Sequence, residues 1–259
     1  MHMPSERRSG ASASWNAQST IKTDDAVTAK GVSDDLKRRV GHDGADMVKD
    51  GMIVGLGTGS TAKFAIERLG QRVNEGLKMK GVPTSLESEK LARSLGIPIT
   101  TLELDPEIDI TIDGADEVDP QFNLIKGLGG ALLREKMIAY VTKIEVIVVD
   151  STKLVEKLCS RAPLPVEVVK FEHVHTSRLL KKLGCTPVLR RMKDNSEPYV
   201  TDNGNFIYDC RFEPCSGPRQ LNECIRNIPG VVDNGLFIDL ADVVICASEK
   251  GVEIRQKKE

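Results

Sequence analysis

The stretch MIVGLGTGSTAKFAIERL, residues 52–69, sets the frame for the whole chain. Met52 to Leu56 is a short apolar run that reads as a buried strand. Gly57-Thr58-Gly59-Ser60-Thr61 is a glycine-rich turn, and Phe64, Ile66 and Leu69 mark the helix that follows. Strand, turn and helix N-terminus together make a phosphate site, because the first N–H groups of a helix have no intrahelical partner and point outward. The turn lacks the Gly-Lys-Ser/Thr ending of a nucleoside-triphosphate loop. It also has Ser60 where a dinucleotide fingerprint needs its third glycine, and Val82-Pro83-Thr84-Ser85 supplies no acidic partner for a ribose. Both exclusions point to a smaller phosphate ester.

Working outward, Ser33 is expected to cap a helix with Asp34 and Asp35 in its first turn, running to about Val48. Downstream, Gly81 to Ser85, Ile97 to Leu102, Asp109 to Asp113 and Val146 to Val149 read as strands. Helices over Glu87 to Leu95 and Ala131 to Val141 lie between them, the alternation of a parallel sheet. The rhythm changes at Arg161-Ala-Pro163-Leu-Pro165. A strand at Val166 to Val169, a helix at Ser177 to Leu183 and a strand at Pro187 to Arg191 come next. A hairpin joining Tyr199-Val200 to Phe206-Ile207-Tyr208 through Asn203-Gly204-Asn205 and a helix at Gln220 to Asn227 complete a compact α+β unit. The expected fold is α/β: a Rossmann-like open, mostly parallel sheet flanked by helices, built from residues 31–160 and 235–259, with a smaller inserted α+β domain over residues 161–234.

The chemistry concentrates in ITIDGADEVDPQFNLIKGLGGALLREK, residues 110–136. A strand ends where Asp113 and Asp116 begin, so both face the crevice at the carboxyl edge of the sheet. Lys126 precedes Gly127, Gly129 and Gly130, which let backbone amides turn inward as an anion nest. Glu135 falls in the first turns of the next helix, and Lys153 lies just beyond the strand ending at Asp150. A carboxylate, a cation and N–H donors at one point suit proton abstraction beside a carbonyl. On composition alone an acidic cluster is as often a solvated loop, but a lysine directly ahead of a glycine turn favours an anionic ligand. Asp113, Asp116 and Asp119 do not keep the alternating spacing of a calcium loop, so no metal is expected.

With 259 residues, 40% hydrophobic and 29% charged, the chain can bury one or two cores, and a net charge of −2 argues against nucleic acid as a partner. No apolar run approaches the roughly 18 residues that span a bilayer, so no membrane is expected. The six cysteines include no C-x-x-C pair and read as reduced packing thiols of a cytoplasmic protein. His173 and His175 could share one strand face, but without a third ligand nearby they read as surface histidines. Residues 1–30, rich in Ser, Ala and Thr, are expected to be disordered. Arg7 and Arg8 hint at organelle targeting, against which Glu6, Asp24 and Asp25 count.

Gly57-Thr-Gly-Ser-Thr61, Asp113-Gly-Ala-Asp-Glu117, Lys126-Gly-x-Gly-Gly-Ala131 with Arg134-Glu-Lys136, Pro163-Leu-Pro-Val-Glu167 and Thr201-Asp-Asn-Gly-Asn205 occur in this order. Together, from about residue 33 to 254, they resemble ribose-5-phosphate isomerase of the A type. The resemblance implies a ferredoxin-like small domain and reversible conversion of D-ribose 5-phosphate to D-ribulose 5-phosphate in the non-oxidative pentose phosphate pathway. It further implies no metal or organic cofactor, and a homodimer or a homotetramer. Carried over, Glu135 is the base that moves a proton between C2 and C1 through a cis-enediolate, and Asp113 handles hydroxyl protons and ring opening. Asp116 binds sugar hydroxyls, and Lys126 with the amides of Gly127, Gly129 and Gly130 stabilises the oxyanion. Thr58, Gly59, Ser60 and Thr61 line the pocket, while Lys37 and Lys153 reach the phosphate. Asp113 and Asp116 are expected to share one proton. Leu128 interrupts the usual glycine run and is expected to point away while leaving its N–H in the nest. The alternatives are an acyl-CoA transferase-like enzyme, with Glu135 as nucleophile, and a sugar-phosphate sensor on the same fold. The latter would need a DNA-binding domain that the polar N-terminus does not supply.

Overall fold

In the computed structural model, which describes residues 29–194 and 196–257, the chain opens with α1 (Ala29–Asp46) and proceeds through β1 (Ile53–Leu56), α2 (Ala62–Asn74), β2 (Lys80–Pro83), α3 (Leu86–Ser94) and β3 (Ile108–Asp113). Two short strands, β4 (Glu117–Val118) and β5 (Leu124–Ile125), precede α4 (Leu132–Tyr140), β6 (Thr142–Asp150) and a 3-10 turn over Ser151–Lys153. Then come β7 (Leu164–Val168), α5 (His173–Lys181), β8 (Thr186–Leu189), β9 (Phe206–Arg211), α6 (Pro218–Arg226) and β10 (Val231–Asn234). The chain closes through β11 (Leu236–Phe237), β12 (Val243–Ser248) and β13 (Gly251–Gln256).

The main sheet has the order β13-β12-β6-β3-β1-β2, parallel except for β13 at one edge. Its inner strands β1, β3 and β12 are mostly buried on both faces, as a sheet covered on both sides requires. Val40 of α1 and Ala65, Ile66 and Leu69 of α2 pack over Val54, Ile110, Ile112, Val146 and Val148. On the opposite face Ile147 and Val149 pack with Ala139 of α4 and Phe237. A Cβ at Gly55 would collide with Thr111 of β3 and Ile138 of α4, so glycine there lets α4 lie close to the sheet. That brings the first turn of α4 to the carboxyl end of β3.

The second sheet, order β10-β7-β9-β8, is antiparallel throughout, with α5 joining β7 to β8 and α6 joining β9 to β10. This βαββαβ order is ferredoxin-like. Leu164, Val166, Val168, Leu180 and Ile225 form its core. A third sheet, β11-β5-β4, was not foreseen, because strands of two residues show no readable period. The β4–β5 turn is held by Asp119, whose carboxylate accepts from the N–H groups of Gln121 and Asn123 and from the Asn123 side-chain amide.

Several expectations are corrected. The first helix starts at Ala29 rather than at Ser33, since good helix formers at 29 and 30 extend it and a single Gly31 costs only about 1 kcal/mol. The expected disorder of the first 30 residues lies, over 1–28, outside the described residues. The strand at Ile97 to Leu102 reduces to one bridge, Gly81 with Ile99: Pro98 has no N–H to donate, and after Thr100 the chain turns away through Leu104 N–H to Thr101. His173 and His175 stand on α5, not on a strand. Two positions apart on a helix they face different ways, His173 meeting the Tyr208 hydroxyl at 2.8 Å. Tyr199-Val200 contributes one bridge to Phe206, and β9 takes β8 as its neighbour instead. β13, also unforeseen, pairs back on β12 along its whole length.

Candidate active site

A cavity of about 310 Å³ opens at the carboxyl edge of the main sheet. Its walls include Lys37 of α1, the Thr58–Thr61 turn, Asp116, Lys126, Gly127, Gly129, Glu135 and Lys153. Residues read from four separate parts of the sequence thus converge. Asp113 lies just beneath the floor, 1% exposed, and Gly130 stands behind the wall against Tyr199, its N–H donating to the Gly127 carbonyl rather than serving as the expected oxyanion donor.

The buried Lys126 ammonium is the hub. It donates to Asp113 Oδ2 at 2.9 Å, to Glu135 Oε1 at 3.3 Å and to the carbonyl of Gly114. Burial alone would lower its proton affinity, but the charges of Asp113 and Glu135 outweigh that and hold it well above the usual lysine range. All three ammonium protons are engaged within the protein. An oxyanion in the cavity therefore has to replace one partner, and the Glu135 contact is the longer of the two ion pairs.

The two carboxylates on this ammonium differ. Asp113 Oδ1 also accepts from the N–H groups of Thr58 (3.0 Å) and Gly114 (2.7 Å). Gly57 is needed for this approach, since a Cβ there would strike the Asp113 carboxylate. Among the described residues Glu135 has only Lys126 as a hydrogen-bond partner, and its Oε2 is buried without one. Burial pushes the Glu135 carboxyl up to about 8, Lys126 pulling it back and Asp113 pushing it further.

Asp113 and Asp116 do not form the shared-proton pair expected of them. Asp116 Oδ2 instead accepts from the Leu128 N–H at 3.0 Å, and its carboxyl is raised by burial against the opposing pull of that N–H and of Lys126. The Leu128 side chain does point outward, 43% exposed, but its N–H serves Asp116 rather than the anion nest. Thr58 lines the cavity with its hydroxyl turned aside into a cluster formed by Thr84, Ser85 and Ser88, at 2.7 to 2.9 Å. Its side chain therefore braces the turn. Gly59, with φ of 104°, lets the chain enter α2, leaving Ser60 and Thr61 on the open side. Lys37 is 3.8 Å from Asp34 on its own helix, and Lys153 closes the 3-10 turn that follows Asp150.

Other residues around the site had no role assigned from the sequence. Arg134 donates to Asn203 Oδ1 and to the Asp202 carbonyl, and Lys136 donates to Asp233 Oδ1 at 2.7 Å, so both neighbours of Glu135 anchor α4 to the segment around the second sheet. Glu167 Oε1 gathers Thr201, Asn203 and Asn205, which explains two of the sequence motifs as one structural knot. Glu145 of β6, 1% exposed and with an Oε2 that has no hydrogen-bond partner among the described residues, is a further buried carboxyl. Burial raises it well above the usual range, the Asp113 charge adding to the effect. The acid inside the apolar run Ile144 to Val149 was its one visible signal. Among the described residues no group of three or more His, Cys, Asp and Glu is arranged to hold a metal.

Comparison with known proteins matches residues 80–251 to the family described as ribose 5-phosphate isomerase A (phosphoriboisomerase A). The ribose-5-phosphate isomerase A of Gluconobacter oxydans is 51% identical over 218 residues, 84% of this chain and 94% of that protein. The solved ribose 5-phosphate isomerase A from Methanocaldococcus jannaschii is 41% identical with a TM-score of 0.82, covering 86% of this chain and 99% of that one. A D-ribose-5-phosphate isomerase solved with phospho-erythronic acid is 38% identical with a TM-score of 0.84, at 86% and 99% coverage.

Proposed function

The chain belongs to the ribose-5-phosphate isomerase A family, and on that premise we propose that it interconverts D-ribose 5-phosphate and D-ribulose 5-phosphate. The observation that carries the reading is the incompletely partnered Glu135 carboxylate on the Lys126 ammonium, inside a cavity that also holds a glycine turn at a helix N-terminus and two lysines. In this reading Lys37, Lys153 and the N–H groups opening α2 take the phosphate. The binding energy of the phosphate, remote from the reacting carbons, is then available to orient them.

Asp113 relays hydroxyl protons and assists ring opening, and Asp116 binds the sugar hydroxyls. Glu135 removes the proton from C2 of the open aldehyde and returns it to C1. Lys126 and the turn that follows it neutralise the enediolate oxygen, and as Lys126 swings toward that oxygen Glu135 loses its only partner and becomes a stronger base. The reaction moves protons within one molecule and needs no net redox partner.

The test is formation of ribulose 5-phosphate from ribose 5-phosphate in the presence of EDTA. Turnover that resists chelation is the expected result. A folded protein that binds ribose 5-phosphate without turnover would be a sensor, and acyl transfer from a thioester would make it a transferase.

The finer features follow the same resemblance: work in the cytoplasm within the non-oxidative pentose phosphate pathway, a catalytic domain from residues 31–160 and 235–259, a small domain over 161–234, and a homodimer or homotetramer. Light scattering at micromolar concentration is expected to give at least a two-chain mass, and a one-chain mass would remove the oligomer from the proposal.

A further inference from the structure

Arg190 stands just after β8, outside the cavity wall. Its Nη1 donates to the carbonyls of Gly127 at 2.9 Å and Leu128 at 3.1 Å, while its Nε (2.9 Å) and Nη2 grip both oxygens of Asp209 on β9. The guanidinium sits 5.9 Å from the centre of the Tyr199 ring. Tyr199 in turn closes the back of the glycine turn, where a Cβ on Gly130 would collide with its hydroxyl.

Peptide groups are planar, and no cis bond occurs here, so the N–H of each residue points opposite to the preceding carbonyl. With the Gly127 carbonyl drawn to Arg190, the Leu128 N–H is turned to the other side, where it meets Asp116. With the Leu128 carbonyl drawn the same way, the Gly129 N–H is turned to the side on which Gly129 lines the cavity. Glycines at 127 and 129 offer little resistance to rotation of these peptides, because glycine populates positive and negative φ about equally. Within the turn the Gly130 N–H donates to the Gly127 carbonyl at 2.9 Å, and from outside it Arg190 holds both the Gly127 and the Leu128 carbonyls.

We propose that Arg190 is a positioning residue for isomerisation: it tethers two carbonyls of the Lys126–Gly130 turn, and so fixes the Leu128 N–H on Asp116 and presents the Gly129 N–H as an oxyanion donor. The inference rests on the isomerase reading. A lysine cannot substitute, since one ammonium does not reproduce the planar fork that serves Asp209 and two carbonyls at once.

The experiment compares the parent with Arg190→Ala and Arg190→Lys in ribose 5-phosphate turnover, with calorimetric binding of phospho-erythronic acid and of inorganic phosphate. A displaced oxyanion donor is expected to lower kcat by about 10- to 100-fold in both variants, at or below the usual loss for deleting such a donor. KM should stay within about threefold, because the phosphate lysines are untouched. Affinity for phospho-erythronic acid, whose carboxylate places charge where the enediolate would, should fall in parallel with kcat, while inorganic phosphate binds as before. Added guanidinium ion should restore part of kcat to Arg190→Ala but not to Arg190→Lys.

A kcat equal to the parent's, or losses shared equally by kcat and phosphate binding without guanidinium rescue, would overturn the proposal. If Arg190→Ala does not fold, Asp209→Asn keeps the arginine and loosens its anchor. A smaller fall in kcat at constant KM is expected there, and an unchanged kcat overturns the proposal. A parent without turnover removes the isomerase reading and this inference with it, whereas an active parent with an unimpaired Arg190→Ala removes this inference alone.

Discussion

The carboxyl end of β3 and the first turn of α4 each deliver a buried carboxylate to the same ammonium, yet they solvate it in opposite ways. At the end of β3, Asp113 receives two backbone N–H groups besides Lys126, so its charge is held by fixed donors. At the start of α4, Glu135 receives Lys126 alone, at the longer distance, and keeps one buried oxygen without a donor. A carboxylate supplied with several fixed donors is held in one orientation by them. One that lacks donors holds its negative charge at high energy and takes up a proton readily. On the proposed mechanism, fixed donors hold Asp113 in place for its relay of hydroxyl protons, and the scarcity of donors suits Glu135 to the transfer between carbons.

The largest test of that division is a pair of isosteric changes. Glu135→Gln is expected to lower kcat by about 10³-fold or more and Asp113→Asn by about 10²-fold, within the usual range for a proton-transfer group. Equal losses would break the comparison. The same variants carry a pH signature. With Glu135 raised to about 8, the base form is scarce below that value, so kcat/KM of the parent should rise about tenfold per pH unit and level off above about 8. The Asp113 charge pushes Glu135 up, so Asp113→Asn should move the limb to lower pH even as it lowers the plateau. A limb that moves to higher pH, or stays in place, would show that the two acids are not electrically coupled as their positions require.

The smallest effect concerns stability. Glu145 faces the same region from β6 and, like Glu135, has a buried oxygen without a donor. Its folded-state proton affinity is raised, so the folded protein holds this proton more tightly than the unfolded chain does, and stability is lost as pH rises above the ordinary glutamate value of 4.5. Glu145→Leu should relieve a buried-group penalty of about 1–3 kcal/mol, raising Tm by about 2–8 °C at neutral pH and by less at pH 4. A Tm that falls at neutral pH would mean that Glu145 has a stabilising partner in solution.

Much of the candidate cluster was legible because it is compact in sequence. Asp113, Asp116, Lys126 and Glu135 lie within one stretch of strand, turn and helix, and glycine turns announce themselves by composition. The parallel sheet was legible for a similar reason: β-branched runs buried on both faces alternate with helical segments. What escaped was either too short to carry a period, as in the strands Glu117–Val118 and Leu124–Ile125, or long-range. Thr84, Ser85 and Ser88 reach Thr58 across two strands, and Arg190 reaches the glycine turn from another sheet. No local pattern encodes such contacts.

The sequence by itself determined which groups are available: a phosphate-sized glycine turn, a set of acids beside one lysine, and a second α+β unit after the proline-flanked boundary at Arg161 to Pro165. Only the tertiary structure decided what surrounds each acid. Asp113 and Glu135 have the same functional group and the same cationic partner, and the sequence separated their proposed roles by resemblance alone. The difference in their settings comes from the number of donors that the fold brings to each buried oxygen, because the energy of a charge in a low-dielectric interior is set by its neighbours rather than by the residue that bears it.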